Sequence, residues 1–318
     1  MAVTLAQAAL LSENDLQRGV LETFVQQSAI LDRIPFLEIQ GNAYSYNQEA
    51  SLPGVAFRSV NEAYVESTGT VNQATESLTI LGGNADVDRF IQKTRSNLND
   101  QRAVQTKLKV KAMSYKFQDH FFNGDILVDT KGFDGLKKRL TGAQVISAGT
   151  NGIPVLGNGT TEPQTFFDLL DSLLAAVPGI SPSNGVMYAN SSVVAKIRSA
   201  GRRVGGVDTL REDTTGKRAI TWQGIPVLDP GLNLAGTPVL PLTETQGTSS
   251  VSSSVYAVKW GDDENDAAVT GLTNGGVMVD DLGLLQEKPS YRVLVELYGG
   301  LAVFGGKGAA RLTGILNS

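Results

Sequence analysis

The sequence predicts an α+β fold, and three observations predict it. From about Asn99 to Asn123 the chain holds no Gly or Pro and keeps helical apolar spacing. Ahead of it, residues 43–81 alternate as two strands do around a long polar tip. The C-terminal part is mostly strand-like, most strongly at Val255–Trp260 and Tyr291–Phe304. Helices and strands gathered in separate stretches, without regular β–α alternation, are the mark of that class. With 318 residues, 41% of them hydrophobic, the chain can bury one or two substantial cores.

Residues 12–31 read as an amphipathic helix, with Leu16, Val20, Phe24 and Ala29 near one face, Ser12 or Asn14 as caps, and Pro35 beyond its end. It is either an ordinary first helix or an arm that docks on another copy. In the hairpin, Tyr44, Tyr46 and Gln48 alternate on one arm, Leu78 and Ile80 on the other. The tip, residues 51–72, carries the turn signals Pro53-Gly54 and Thr68-Gly69 but few apolar residues: Leu52, Val55, Phe57, Val60, Tyr64 and Val65. A loop that long with no core of its own is usually functional or disordered, so contacts on another chain are expected. Gly82-Gly83 is expected to break the chain; Asp86–Thr94 suits either a strand or a helix start.

The long helix has caps available at Asn97 or Asn99 and a stop at Gly124. One face carries Val104, Leu108, Ala112 and Tyr115, a second Val110, Met113, Phe117 and Phe121, so burial on two sides is expected for its last half. Residues 142–162 read as a connection, then a helix Pro163–Val177, a buried strand Val186–Ala189, and a helix Ser191–Ala200 closed by Gly201. Residues 201–218 read as a mobile charged loop, Ala219–Leu228 as one strand, and 243–254 as a Ser/Thr-rich loop. Gly299-Gly300 suggests a bulge or bend in the last long strand.

Charge is unevenly placed. Residues 88–120 hold eight Lys or Arg against three Asp, although the whole chain has a net charge of −5. Arg95, Arg102, Lys109 and Lys116 follow one another at seven-residue steps, a stripe that drifts only about 20° per step. Two readings stand side by side: a solvated helix edge, or a surface held near polyanionic phosphate without base reading.

Other chemistries find little support. The absence of Cys excludes disulfides and thiolate metal sites. His120 is the only histidine and sits among aromatics, which suits a packed or interfacial role better than a triad. The run Asp262–Asp266 starts like a calcium loop, yet Ala267 stands where the glycine should and Thr273 where the closing glutamate should. Gly305-Gly306-Lys307-Gly308 lacks phosphate-loop spacing. No catalytic residue, cofactor or metal is assigned; no stretch has the length of a membrane span; and no secretory signal is read at the N-terminus.

The order of elements resembles a known family. A long hairpin and a long helix lead to Phe121-Phe122-Asn123-Gly124-Asp125 and Gly132-Phe133-Asp134-Gly135-Leu136. After them come TFFDLLDSLLAAV, GVMYAN, SSVVAKIRSA, ITWQGIPVLDPG and RVLVELYGGLAVFGGKGAARLTGI. This is similar to the major capsid proteins of tailed bacteriophages, which have the Hong Kong 97 fold. The resemblance implies an N-terminal arm (1–42), an E-loop hairpin (43–82) and a P-domain with its spine helix (83–142). It further implies an A-domain (143–270), P-domain return strands (271–304) and a last A-domain strand (305–318).

It also implies roles. Leu52, Val55, Phe57 and Tyr64 would make the E-loop's contacts with a neighbouring copy. Arg202, Arg203, Asp208, Arg211, Glu212 and Asp213 would lie near the capsomer axis, and Arg95, Arg102, Lys109 and Lys116 would face packaged DNA. The implied partners are further copies in pentamers and hexamers, a portal, a separate scaffolding protein and non-specifically held double-stranded DNA; a decoration protein is an allowed addition. The implied place is the virion capsid, after synthesis in the host cytoplasm. Some members join their shells through an E-loop lysine, promoted by a glutamate that Glu296 resembles in position. Residues 43–82 contain no lysine, so a shell without that covalent mesh is expected. An encapsulin-type shell is the alternative, with a hydrolase behind it.

Overall fold

The computed structural model describes residues 28–95, 101–157, 159–204, 210–212 and 218–318. Most of the expected N-terminal helix, up to residue 27, lies outside them.

In chain order the first half holds β1 (Phe36–Glu38), β2 (Ala43–Ser51), β3 (Thr70–Ser77), β4 (Thr79–Asp88), α1 (Arg89–Arg95), α2 (Gln101–Asn123) and α3 (Leu136–Arg139). Next come β5 (Val145–Ser147), β6 (Ile153–Pro154), α4 (Thr161–Ala175), β7 (Gly185–Tyr188), α5 (Ser191–Val204), β8 (Leu210–Glu212), β9 (Arg218–Trp222) and β10 (Ile225–Leu228). The last strands are β11 (Glu244–Gln246), β12 (Ser249–Lys259), β13 (Val269–Leu284), β14 (Ser290–Val303) and β15 (Ala309–Leu316).

Three sheets result. One runs β1-β13-β14-β4 and is covered by α2. A mixed sheet runs β5-β15-β12-β7-β10-β9-β8, with β11 beside β12 and β6 beside β15; α4 and α5 pack on it. The third is the isolated hairpin β2-β3. The long helix α2 joins the first two bodies. Its Val110, Met113, Phe117 and Phe121 are buried against Ile30, Leu31, Ile34, Phe36 and the β14 residues Val293, Val295 and Leu297. At its C-terminal end the Phe122 ring meets Tyr188 and Tyr256 of the mixed sheet, with ring centroids 5.5 and 4.9 Å away.

Several elements differ from their sequence reading. Gly82 and Gly83 lie within β4, paired to Glu296 and Val295. A Cβ on Gly82 would sit 2.6 Å from the Val295 carbonyl oxygen, so glycine here permits close strand approach where a break was expected. The irregularity expected at Gly299-Gly300 falls on the partner strand, between Thr273 and Val277, where Gly275 and Gly276 have positive φ. Ala219–Leu228 is two strands, because Gln223 and Gly224 both take positive φ and close a two-residue hairpin. The Ser-rich stretch is half of β12: Ser252, Ser253 and Ser254 are buried, and the Ser252 hydroxyl donates to the Glu244 carbonyl at 2.7 Å. The expected connection 142–162 contributes β5 and β6, which add parallel to β15. Helix α5 runs through a buried Gly201 to Val204.

Candidate interaction surfaces

The hairpin is fixed at its base and free at its tip. At the base, the Tyr44 hydroxyl donates to Glu264 at 2.8 Å, and Tyr46 meets Phe304 edge-on at 4.9 Å. Arg139 on α3 grips Glu76 of β3 with both terminal nitrogens, one at 2.7 Å, and each side chain of this pair is about one-sixth exposed. Burial, and then the Glu76 carboxylate, push the Tyr46 hydroxyl up to about 12. Beyond Ser51 every residue to Val71 is exposed. Phe57 is 106% exposed and Val55 97%; Leu52, Val60, Tyr64 and Val65 are likewise open.

The tip nevertheless has local order. Ser67 Oγ donates to the Gly54 carbonyl at 2.8 Å, and Ser51 and Thr70 hydroxyls meet at 2.7 Å. The Arg58 guanidinium lies 5.3 Å from the centre of the Tyr64 ring. This is a shaped, partly apolar end on a two-stranded stalk. A stalk of that kind is marginal in water by itself.

The ladder runs along the seam between α2 and the first sheet. Arg102 is paired with Asp281 of β13 and lies over the Tyr291 ring at 5.0 Å. Lys109 passes over Gly83, where an added Cβ would be 3.4 Å from Nζ. Lys116 Nζ is 3.4 Å from Asp129. Arg95 ends α1, its side chain outside the described residues. Two of the three described members therefore already face a carboxylate.

The residues assigned to a capsomer axis are not gathered on one loop. Arg202 and Arg203 belong to the last turn of α5. Arg203 Nη1 donates to the Leu156 and Gly157 carbonyls, 3.1 Å each. Arg211 and Glu212 are on β8, opposite Ala219 and Arg218. Asp208 and Asp213 lie outside the described residues.

His120 lines a cavity of about 220 Å³ with Lys116, Asp129, Lys131, Phe133, Ile80 and Leu81 among its walls. Its Nε2 is 3.3 Å from Asp129, and its ring meets Phe133 edge-on at 6.0 Å. The Asp129 carboxyl is held below the usual range by the Lys131 backbone N–H first and His120 second. His120 Nδ1 is buried with no hydrogen-bond partner, so no third group orients the ring as a general base requires. Among the described residues no cluster of three His, Asp or Glu could hold a metal. The acidic run folds into a short turn capped by Asp263, which accepts from the Asn265 N–H. No described helix is long and apolar enough to cross a membrane.

What the sequence pattern missed is the exposed side of α2. Val104 is 40% exposed and Leu108 54%, with Lys107 and Lys111 open beside them. Burial on two sides was expected for the last half, and there Phe117 packs on Phe36 while Phe122 packs on Tyr188 and Tyr256 of the mixed sheet; along the first half Val104 and Leu108 stay open.

Comparison with known proteins supplies context for this geometry. The family described as Major capsid protein GP7 matches residues 12–165. No curated protein matches the chain. Among solved structures, the holo-SrpI encapsulin complex from Synechococcus elongatus PCC 7942 is similar at TM-score 0.64 and 18% identity, covering 91% of this chain and 88% of that one. The capsid of a native GTA particle gives 0.61 and 13%, covering 92% and 90%. A structure from Mycobacterium phage Bobi gives 0.58 and 13%, covering 98% of each chain.

Proposed function

We propose that this chain is a major capsid protein of the Hong Kong 97 fold and that its copies form an icosahedral phage head through their hairpins, a reading supported by the family match over residues 12–165 and by the fold it shares with capsid shells. The observation that carries the mechanism is the tip, whose apolar residues stay exposed with no covering partner among the described residues while its base is pinned by Arg139, Tyr44 and Tyr46. A neighbouring copy supplies that partner. Six large apolar side chains, each contributing about 1.5–3 kcal/mol when buried, are of the same order as the ~4–15 kcal/mol cost of association. One hairpin contact is therefore marginal, and the closed shell gains stability by repeating it in pentamers and hexamers.

The contents proposed are double-stranded DNA, held without base reading, and assembly is proposed to use a portal and a separate scaffolding protein. Because Arg102 and Lys116 are already paired, Lys109 is the described ladder member left to meet phosphate. The role is structural, with contacts and not turnover as the output. Lysine-free residues 43–82 favour a shell held without covalent links from the hairpin.

Replacing residues 52–69 by a two-residue turn tests the mechanism. Folded subunits or loose capsomers without closed shells, seen by electron microscopy, are expected. Normal particles from the shortened chain would remove the hairpin from the mechanism. The encapsulin-type reading shares the fold and is separated by the contents of the particles: nuclease-protected DNA favours the phage head.

A further inference from the structure

The cavity beside His120 and the bare tip of the hairpin match each other, yet not within one chain. At about 220 Å³ the cavity falls below the ~300–1,000 Å³ of sites that take a drug-sized molecule, and it suits one large side chain. Its walls are aromatic: Phe117 and Phe133 stand with ring centroids 5.8 Å apart, and His120 meets Phe133 edge-on. A further ring entering here finds both faces and edges to pack on. The rim is apolar and open. Ile80 at the mouth is 71% exposed, and Val128, next to the Asp129 wall, is 86% exposed. The turn that carries Val128 is fixed, because the Ile126 N–H donates to Asp134 and the Leu127 N–H to Asp125, 2.9 Å each. Lys131 is exposed on the rim and forms no ion pair among the described residues.

The side chain that fits lies at the far end of the hairpin. Of the tip's two aromatic residues, Tyr64 has the Arg58 guanidinium 5.3 Å from its ring centre, and Phe57 is fully exposed. Phe57 cannot enter the cavity of its own chain. The wall residues Thr79, Ile80 and Leu81 follow directly on β3 at the base of the stalk. Strand β2, paired with β3 as far as Ser51 and Thr70, carries the tip about 30 Å away from that base. Charge is complementary too: Glu62 and Glu66 against the single Arg58 leave the tip negative, and the cavity rim offers Lys131. We propose that Phe57 of one copy seats in this cavity of the next copy, with Ile80 and Val128 closing around it. The proposal rests on the shell reading and names the receiving side of its hairpin contact. Two different patches meet, so the contact is head-to-tail, and copies joined this way close into rings such as pentamers and hexamers. An aromatic anchor in a pre-formed pocket is also where interfaces concentrate their binding energy.

The chain has no cysteine, so an engineered pair reads out cleanly. Ala56→Cys with Val128→Cys leaves Phe57 and the cavity walls intact and changes exposed positions only. Treated with a short bis-maleimide in the full-length chain, this pair is expected to give a ladder of linked copies on a denaturing gel. Ala56→Cys with Ser183→Cys is the control and should not link. Adding Phe57→Ala to the linking pair should slow the reaction at least tenfold. A link within one chain, no link, or equal linking in the control overturns the proposal, and linking that ignores Phe57→Ala overturns Phe57 as the anchor. Micrographs of the same preparation separate the two levels. Closed shells without the link remove the cavity contact alone, whereas the link in a preparation without closed shells supports the contact and removes the shell reading.

Discussion

Gly82 and Asp86, four residues apart on β4, show how much one position can hold. A side chain on Gly82 would meet the Val295 carbonyl oxygen, and Glu296 Cα at 3.1 Å, so β14 would have to withdraw. Gly82→Ala is expected to lower subunit stability by about 1–3 kcal/mol in denaturant unfolding. Asp86 sits between Arg292 and Lys288; Arg292 donates to its two oxygens at 2.7 and 2.8 Å. Chiefly through Arg292, these bonds hold the Asp86 carboxyl well below the usual carboxylate range. The folded-state value is depressed, so the stabilisation is complete above the ordinary value of 3.8 and is lost as pH falls toward the lower folded-state value. Asp86→Asn should therefore cost about 0.5–1 kcal/mol at pH 7, a screened surface value, and the cost should shrink below about pH 4. A pH-independent difference between the two unfolding curves would contradict this origin. Neither residue announced its role in the sequence, because each acts on β14, some 200 positions away.

At the scale of elements, the turn at Gln223-Gly224 decides the edge of the mixed sheet. Gly224 has φ of +79°, and a Cβ there would lie 3.1 Å from Pro182 Cγ. Gly224→Val is expected to destabilise by about 1–2 kcal/mol, measured as a lower unfolding midpoint with unchanged slope. The turn was read as strand because its first residue is not one of the usual turn formers, although Gly224 was the available cue. The serines of β12 read as loop because composition favours loops, whereas the Glu244 carbonyl accepts from the Ser252 hydroxyl and its carboxylate from the Ser254 hydroxyl. Helix α2 was the most legible element: an uninterrupted apolar period survives any context. Its two apolar faces, however, could not be ranked from the pattern. Burial of Phe117 over Leu108 depends on where Phe36 and β14 arrive.

For the whole molecule, the separation of the hairpin tip from the rest of the chain makes assembly and folding independently testable. Phe57 and Val65 touch no core, so Phe57→Asp with Val65→Asp should leave the unfolding of isolated subunits unchanged within ~0.5 kcal/mol. The same pair of changes should abolish closed shells on micrographs. A large loss of subunit stability would instead show that the tip folds onto its own body. Changing Arg102, Lys109 and Lys116 together to Gln breaks two ion pairs within the subunit. It should therefore lower subunit stability by about 0.5–2 kcal/mol as well as weakening retention of DNA, followed by nuclease protection of the particles. By itself the sequence determined what is local: the long helix, the two arms of the hairpin, the absence of any thiol, and the order of elements that marks the fold. Only the tertiary structure decided which strands pair, which face of α2 is covered, that the ladder lies along a seam with carboxylates, and that Arg202 and Arg203 belong to a helix end while Arg211 and Glu212 belong to a strand. The reason is physical. Periodicity and caps act within a few residues, whereas pairing and burial are set by groups that meet across hundreds of positions.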